Sequence, residues 1–207
     1  MNAEILPTEA ERLTGGASAS ARCQSPVAEH WQEGFGDAAC AADGKSLEAI
    51  VVGLLRERGL TISLAESCTG GLISKRITDI DGASAVYKGG VNVYTNEAKT
   101  VLLGVLPELI EDCGVISAAV AVALSENVRR VLKSDFGIGV TGLAGPGDDG
   151  KNPVGTVFVA MACEGKSYVS ALSLGERGGR EGIREAAADH ALYMVRRFLV
   201  GLEVTEP

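Results

Sequence analysis

Leu60-Thr61-Ile62-Ser63-Leu64-Ala65 runs directly into Glu66-Ser67-Cys68-Thr69-Gly70-Gly71, and then into Leu72-Ile73-Ser74-Lys75-Arg76-Ile77. The first six residues form an apolar run of strand length. The next six are small, polar and rich in glycine, and beyond them apolar positions recur at helical spacing. This pattern predicts a strand over 60–65 and a helix over 69–78. A strand passing straight into a helix belongs to an α/β fold.

Outward from this junction the same alternation continues. Upstream, Ser46 is a plausible N-cap for a helix whose apolar face is Leu47, Ile50, Val51, Leu54 and Leu55, and Gly59 ends it. Downstream, the pattern predicts a strand over 90–94 and helices over 96–103 and 117–132. Strands over 136–141, 156–163 and 167–174 follow, and then a last helix over 179–199. Five strands with interleaved helices imply a sheet covered on both faces. The last two strands, joined by Glu164-Gly165-Lys166, should form an antiparallel hairpin and make the sheet mixed. One domain over 46–200 is expected, preceded by a tail over 1–45. Gly15-Gly16-Ala17-Ser18-Ala19-Ser20-Ala21 is low in complexity and cannot bury enough apolar surface to offset its ordering entropy. A partly disordered tail is therefore expected in preference to a short docked helix carrying Trp31 and Phe35.

The residues are 46% hydrophobic but only 4% aromatic, so the core is expected to consist of Val, Ile, Leu and Ala, as a buried sheet requires. A net charge of -8 argues against a nucleic-acid partner. No apolar run reaches the ~18 residues of a membrane helix, and no leader pattern is present. A soluble cytoplasmic protein is expected. Cys23, Cys40, Cys68, Cys113 and Cys163 are widely spread without a C-x-x-C pair, and read as free thiols in a reducing compartment. His30 and His190 are too isolated for a zinc site, so no metal is expected.

Four segments carry chemistry. At the 65–71 junction, free backbone N–H groups and the positive end of a helix dipole are expected. A hydroxyl held there, that of Ser67, can attack a carbonyl whose oxyanion those N–H groups receive. The plainer alternative is that Ser67 or Thr69 caps the helix while Gly70 and Gly71 make the turn. Tyr94-Thr95-Asn96-Glu97-Ala98-Lys99 is a second strand end and helix start, with Thr95 or Asn96 as cap. Lys99 then lies in the first helical turn, where the dipole weakly, and burial strongly, disfavours its charged form. A neutral lysine can serve as base toward a serine, whereas an exposed one would be an ordinary surface charge.

Thr141-Gly142-Leu143-Ala144-Gly145-Pro146-Gly147 lets backbone approach a ligand and can cradle an anion, although it fits no nucleotide fingerprint. In Gly179-Arg180-Glu181-Gly182-Ile183-Arg184, two arginines share one side of a helix start. Their forks match phosphate oxygens, the alternative being salt bridges with Glu181 and Glu185. A Ser-His-Asp triad has no well-placed histidine. Cys68 remains an alternative nucleophile, because a helix N-terminus lowers a thiol pKa.

Taken in order, Ala65–Gly71, Tyr94–Lys99, Gly142-Leu143-Ala144-Gly145-Pro146 and Pro153-Val154-Gly155-Thr156-Val157 resemble the CinA carboxy-terminal-domain family over about 47–199. The resemblance implies a three-layer α/β/α sandwich around a mixed, mostly parallel five-stranded sheet. It further implies homo-oligomers, dimers in particular, and hydrolysis of nicotinamide mononucleotide to nicotinate mononucleotide and ammonia, with no cofactor. The family's catalytic serine and lysine fall on Ser67 and Lys99. Glu66, Cys68, Thr69, Gly70, Tyr94, Asn96, Thr141, Gly142, Ala144 and Gly145 would surround the substrate, and Arg180 and Arg184 match a basic pair near the last helix. Many members carry a larger amino-terminal domain where this chain has the tail, and 173–179 is longer than the family's usual connection. The competing function is a non-catalytic nucleotide-binding module acting through a protein partner.

Overall fold

Phe136-Gly137-Ile138-Gly139-Val140 alternates large apolar residues with glycine, and that alternation sets the centre of the molecule. In the computed structural model, which describes residues 45–204, it lies in strand β3 (Phe136–Gly142). Side chains alternate across a strand, so Phe136, Ile138 and Val140 enter the core on one face while the glycines face the other. A Cβ on Gly137 would sit 2.1 Å from the Ser125 carbonyl oxygen, and one on Gly139 would sit 2.3 Å from that of Ala121. Both oxygens belong to helix α5 (Ala118–Leu132). Glycine is what lets the backbone of this helix rest on the strand.

The other strands are β1 (Ile62–Glu66), β2 (Tyr87–Asn92), β4 (Thr156–Cys163) and β5 (Lys166–Ser173), in the order β2-β1-β3-β4-β5. β1 pairs in parallel with β2 and β3, and β4 runs antiparallel to β3 and β5. Four strands thus share a direction and β4 opposes them. The remaining α-helices among the described residues are α1 (Leu47–Arg58), α2 (Leu72–Thr78), α3 (Asn96–Leu103), α4 (Pro107–Cys113) and α6 (Gly179–Leu199). Helices α1, α2 and α6 cover one face through Val51, Leu55, Ile73, Ile77, Leu192 and Val195, against Leu64 and Ile138. Helices α3, α4 and α5 cover the other through Leu103, Ile110, Val120, Leu124 and Val128, against Ala65 and Val93. The three-layer α/β/α arrangement holds.

From β1 the chain crosses to β2 by way of α2 on one face, then returns to β3 by way of α5 on the other. The strand order therefore reverses beside β1, and the crevice outside the carboxyl ends of β1 and β3 is where an α/β sheet accepts ligands.

Several boundaries moved for physical reasons. Helix α2 begins at Leu72, after an open turn over 67–71, because Glu66 supplies the cap from the strand side. Strand β2 begins at Tyr87, before the weak strand formers Gly89 and Gly90, where pairing with β1 overrides propensity. Helix α4 was not foreseen; Pro107 starts it, and a helix of 7 residues whose apolar side is Leu109 and Ile110 is too short to show a period. The hairpin turn is Glu164-Gly165, with Gly165 at φ +70°. Ser46 and Gly59 end α1 as expected.

Cys68 and Cys163 are free thiols, whereas Cys113 is disulfide-bonded, which overturns the expectation of five free thiols; wide spacing in sequence does not keep cysteines apart in a fold. Among the described residues no helix is long and apolar enough to cross a membrane. The tail, with Trp31, Phe35 and His30, lies outside the described residues.

Candidate active site

Ser67 is the first residue after β1. Its N–H donates to the Val140 carbonyl (3.1 Å), which pins it between the ends of β1 and β3, and it is 8% exposed. The side chains expected to cap α2 do not do so. Instead Glu66 Oε2 accepts from Gly71 N–H (3.0 Å) and Ile73 N–H (3.1 Å), and Oε1 accepts from Ser74 N–H (2.8 Å) and Ser74 Oγ–H (2.6 Å). The Ser67 hydroxyl is left free of capping duty.

The second element starts at Thr95, whose Oγ1 accepts from Ala98 N–H (3.1 Å) and opens α3. Lys99 lies one turn into that helix and points inward. It is 1% exposed, which removes the reading of a surface charge. Its Nζ is 3.1 Å from Ser67 Oγ, 2.9 Å from the Val93 carbonyl oxygen and 3.4 Å from that of Tyr94. Burial holds its pKa below the ordinary lysine value, with Cys68 opposing weakly. None of the ion pairs among the described residues involves Lys99.

In the turn, Ser67 N–H and Gly70 N–H are committed to Val140 O and Ser67 O, and Gly71 N–H to Glu66. Among the described residues the N–H groups of Cys68 and Thr69 donate to no carbonyl. Of the N–H groups expected to be free at the 65–71 junction, these two are the ones in the 67–71 turn left without a carbonyl acceptor. The Cys68 thiol is buried beside them, and desolvation pushes its pKa up to about 12. That reverses the expected lowering by a helix N-terminus: α2 starts four residues later, and its end is already occupied by Glu66. Cys68 is a neutral wall residue here and a poor nucleophile.

Ser67 and Lys99 open into a cavity of about 190 Å³. Of the residues singled out from sequence, Cys68, Tyr94, Asn96, Thr141, Gly142, Ala144 and Arg180 line it with them. Arg180 reaches across the mouth, donating to the Gly145 carbonyl (2.6 Å) and to the Tyr94 hydroxyl (2.8 Å). Thr141 is a wall residue whose hydroxyl is already bonded to the Val115 carbonyl (2.8 Å).

Five expected residues stand outside the lining. Glu66 spends both oxygens on α2. Thr69 is buried and Gly70 turns the chain; the Thr69 carbonyl accepts from Arg184 Nε (3.2 Å) and Nη2 (2.7 Å), so Arg184 braces the turn. Gly145 gives its carbonyl to Arg180. Val115, Ile116 and Leu143 line the cavity and were missed. Leu143 lay within a quoted motif, whereas Val115 and Ile116 follow the unforeseen α4 and carry no polar signal. His190, 4% exposed in α6, is absent from the lining, and burial holds its pKa down at about 4. No group of three or more His, Cys, Asp or Glu among the described residues could hold a metal ion.

Comparison with known proteins places this architecture. The chain is 45% identical over 175 residues to a CinA-like protein of Acidobacterium capsulatum, covering 84% of this chain and 42% of that one. It is 42% identical over 190 residues to a CinA-like protein of Desulfovibrio desulfuricans, covering 91% and 45%. The chain thus spans less than half the length of these curated relatives. The crystal structure of the competence/damage inducible protein CihA from Agrobacterium tumefaciens superposes with a TM-score of 0.69 at 36% identity, covering 72% of this chain and 93% of that one. A CinA-superfamily structure from Klebsiella pneumoniae gives 0.72 at 28%, covering 75% and 96%. The family model for the CinA C-terminal domain matches residues 44–199, and the chain belongs to that family.

Proposed function

We propose that this domain is an amidohydrolase that removes the amide nitrogen of nicotinamide mononucleotide, with Ser67 as nucleophile and Lys99 as general base. The observation that carries this reading is the 3.1 Å approach of Lys99 Nζ to Ser67 Oγ in a site where no carboxylate of the described residues pairs with the lysine. A neutral amine has two N–H donors and one lone pair. The Val93 and Tyr94 carbonyls receive the two donors, and the lone pair is then left facing the serine hydroxyl, the arrangement a base requires.

The cycle follows from these positions. Lys99 takes the Ser67 proton as Oγ bonds to the carboxamide carbon, and Cys68 and Thr69 N–H receive the oxyanion. Lys99 returns the proton to the nitrogen, the C–N bond breaks and ammonia leaves. Water, deprotonated by Lys99, then attacks the acyl-serine, and Oγ recovers its proton. The cationic pyridinium ring withdraws electrons from the carboxamide and assists the first attack.

The lining supports this substrate in two respects. With Lys99 neutral, Arg180 is the charged residue of the lining and no carboxylate stands beside it, which suits an anion. The cavity is smaller than the roughly 300–1,000 Å³ typical of ligand clefts. It therefore suits the nicotinamide ring against Val115, Ile116 and Leu143, with ribose and phosphate lying across the mouth toward Arg180.

The test is ammonia release from nicotinamide mononucleotide by wild type, Ser67→Ala and Lys99→Ala. Release by wild type and loss in both variants is expected. No release by wild type leaves the non-catalytic nucleotide-binding module. Release unaffected by Ser67→Ala removes the serine mechanism.

A further inference from the structure

We infer that Glu66 is a positioning residue that aligns both members of the Ser67–Lys99 pair while keeping its own charge away from the lysine. The inference rests on the hydrolase reading above and deepens it.

Glu66 ends β1 immediately before the nucleophile and is 1% exposed. A buried carboxylate is costly unless its oxygens are satisfied, and here four donors from Gly71, Ile73 and Ser74 satisfy them. These bonds close the turn over 67–71 from the inside and so fix the direction in which Ser67 leaves the strand. The main chain of the same residue acts on the lysine. The Glu66 carbonyl accepts from Val93 N–H (2.8 Å), and the Val93 carbonyl accepts from Lys99 Nζ (2.9 Å). One residue therefore sets the serine through its side chain and the amine through its backbone.

The geometry is reinforced from β2. Ser74 Oγ also accepts from the Tyr87 hydroxyl (2.8 Å), and Gly90 makes room for this contact: a Cβ there would lie 2.4 Å from Tyr87 Oη and 2.7 Å from Ser74 Oγ. Sequestration of the carboxylate matters as much as the alignment. A carboxylate bonded to Lys99 would hold the amine in its charged form and remove the base. The four donors instead hold Glu66 on the α2 side, and burial dominates the lowering of the Lys99 pKa.

The test uses Glu66→Gln, which keeps length and volume but presents an amide NH2 to backbone N–H groups, and Ser74→Ala, a milder change that removes one of the four donors. Two readouts separate the claims. Phosphonylation of Ser67 by a fluorophosphonate, with loss of fluoride, reports the activated alcohol whatever the substrate; ammonia release reports the amidase. Expected for Glu66→Gln, at a temperature where circular dichroism shows it folded, is a labelling rate and kcat lower by at least about tenfold, KM within about twofold and an acid limb of the pH profile in place. Ser74→Ala should show the same split more weakly, and serves if Glu66→Gln does not fold. Folded variants labelled at the wild-type rate overturn the positioning role and leave the serine–lysine pair standing. A fall in KM-linked binding with kcat unchanged also overturns it. A wild-type protein that the probe does not label removes the activated serine, and the inference falls with it. Labelling without ammonia release from any wild-type incubation overturns the choice of substrate and leaves Glu66 to be judged on the labelling rates.

Discussion

Replacing Lys99 by methionine removes the proposed base while leaving its volume. The side chain is 1% exposed, and methionine's unbranched, flexible chain can refill the channel. General-base assistance is worth about 10²–10⁴-fold, or about 3–5 kcal/mol of barrier, so kcat should fall by that factor with little change in KM. Two opposing terms act on stability. Removing a desolvated amine is favourable, while the Val93 carbonyl loses its 2.9 Å partner, a cost of about 1–3 kcal/mol. The melting temperature should move by only a few degrees. The wild-type pH profile supplies the second half of the prediction. Burial lowers the Lys99 pKa, and the reactive form is the neutral amine. Activity must therefore rise with pH through a limb lying below the ~10.4 of a solvated lysine, and be lost as the amine gains its proton. Lys99→Met should abolish that limb. Ammonia release measured across pH for both proteins decides the matter. A methionine variant keeping more than about a tenth of wild-type kcat, or a wild-type limb at the solvated value, refutes the reasoning.

Arg180→Ala removes the guanidinium at the cavity mouth; loss of charge-assisted bonds worth about 1.5–3 kcal/mol should raise KM for the mononucleotide about 10–100-fold and leave the riboside nearly unchanged, and equal losses on both would remove the phosphate role. Gly139→Ala places a methyl 2.3 Å from the Ala121 oxygen, so urea denaturation should show a loss of at least about 1–3 kcal/mol; an unchanged midpoint would mean α5 does not rest on β3. His190 is held at about 4 in the fold against an ordinary 6.5, so the unfolded chain takes up the proton first. Stability should fall as pH drops from 6.5 to about 4, by up to about 3 kcal/mol, and His190→Gln should lose this part of the slope in denaturant titrations at both ends of the window.

The architecture was legible because its signals are local. The apolar run before Glu66, the Thr95 cap and the Glu164-Gly165 turn each state their structure within a few residues. What the sequence hid was set by distant partners. Strand β2 contains Gly89 and Gly90 and becomes a strand only against β1, and α4 is too brief to show a period. Ser67, Lys99 and Arg180 were legible as polar residues at strand ends and helix starts. The divided roles of Glu66 and Arg184 were not, since an ionic side chain near a site reads as a ligand contact until its actual acceptors and donors are seen. Val115 and Ile116 were invisible for the opposite reason: an apolar wall differs from an apolar core only by the empty space beside it.

Because β1 lies between β2 and β3, each side of the cavity is delivered by a different stretch of chain: Ser67, the proposed nucleophile, after β1, Lys99, the proposed base, after β2, and the 141–144 and 115–116 walls from β3 and the loop before α5. On the proposed mechanism, selectivity and reactivity are therefore encoded separately. Sequence drift in the walls can retune which amide is admitted while the proton-transfer pair keeps its spacing, so relatives that share the pair need not share a substrate.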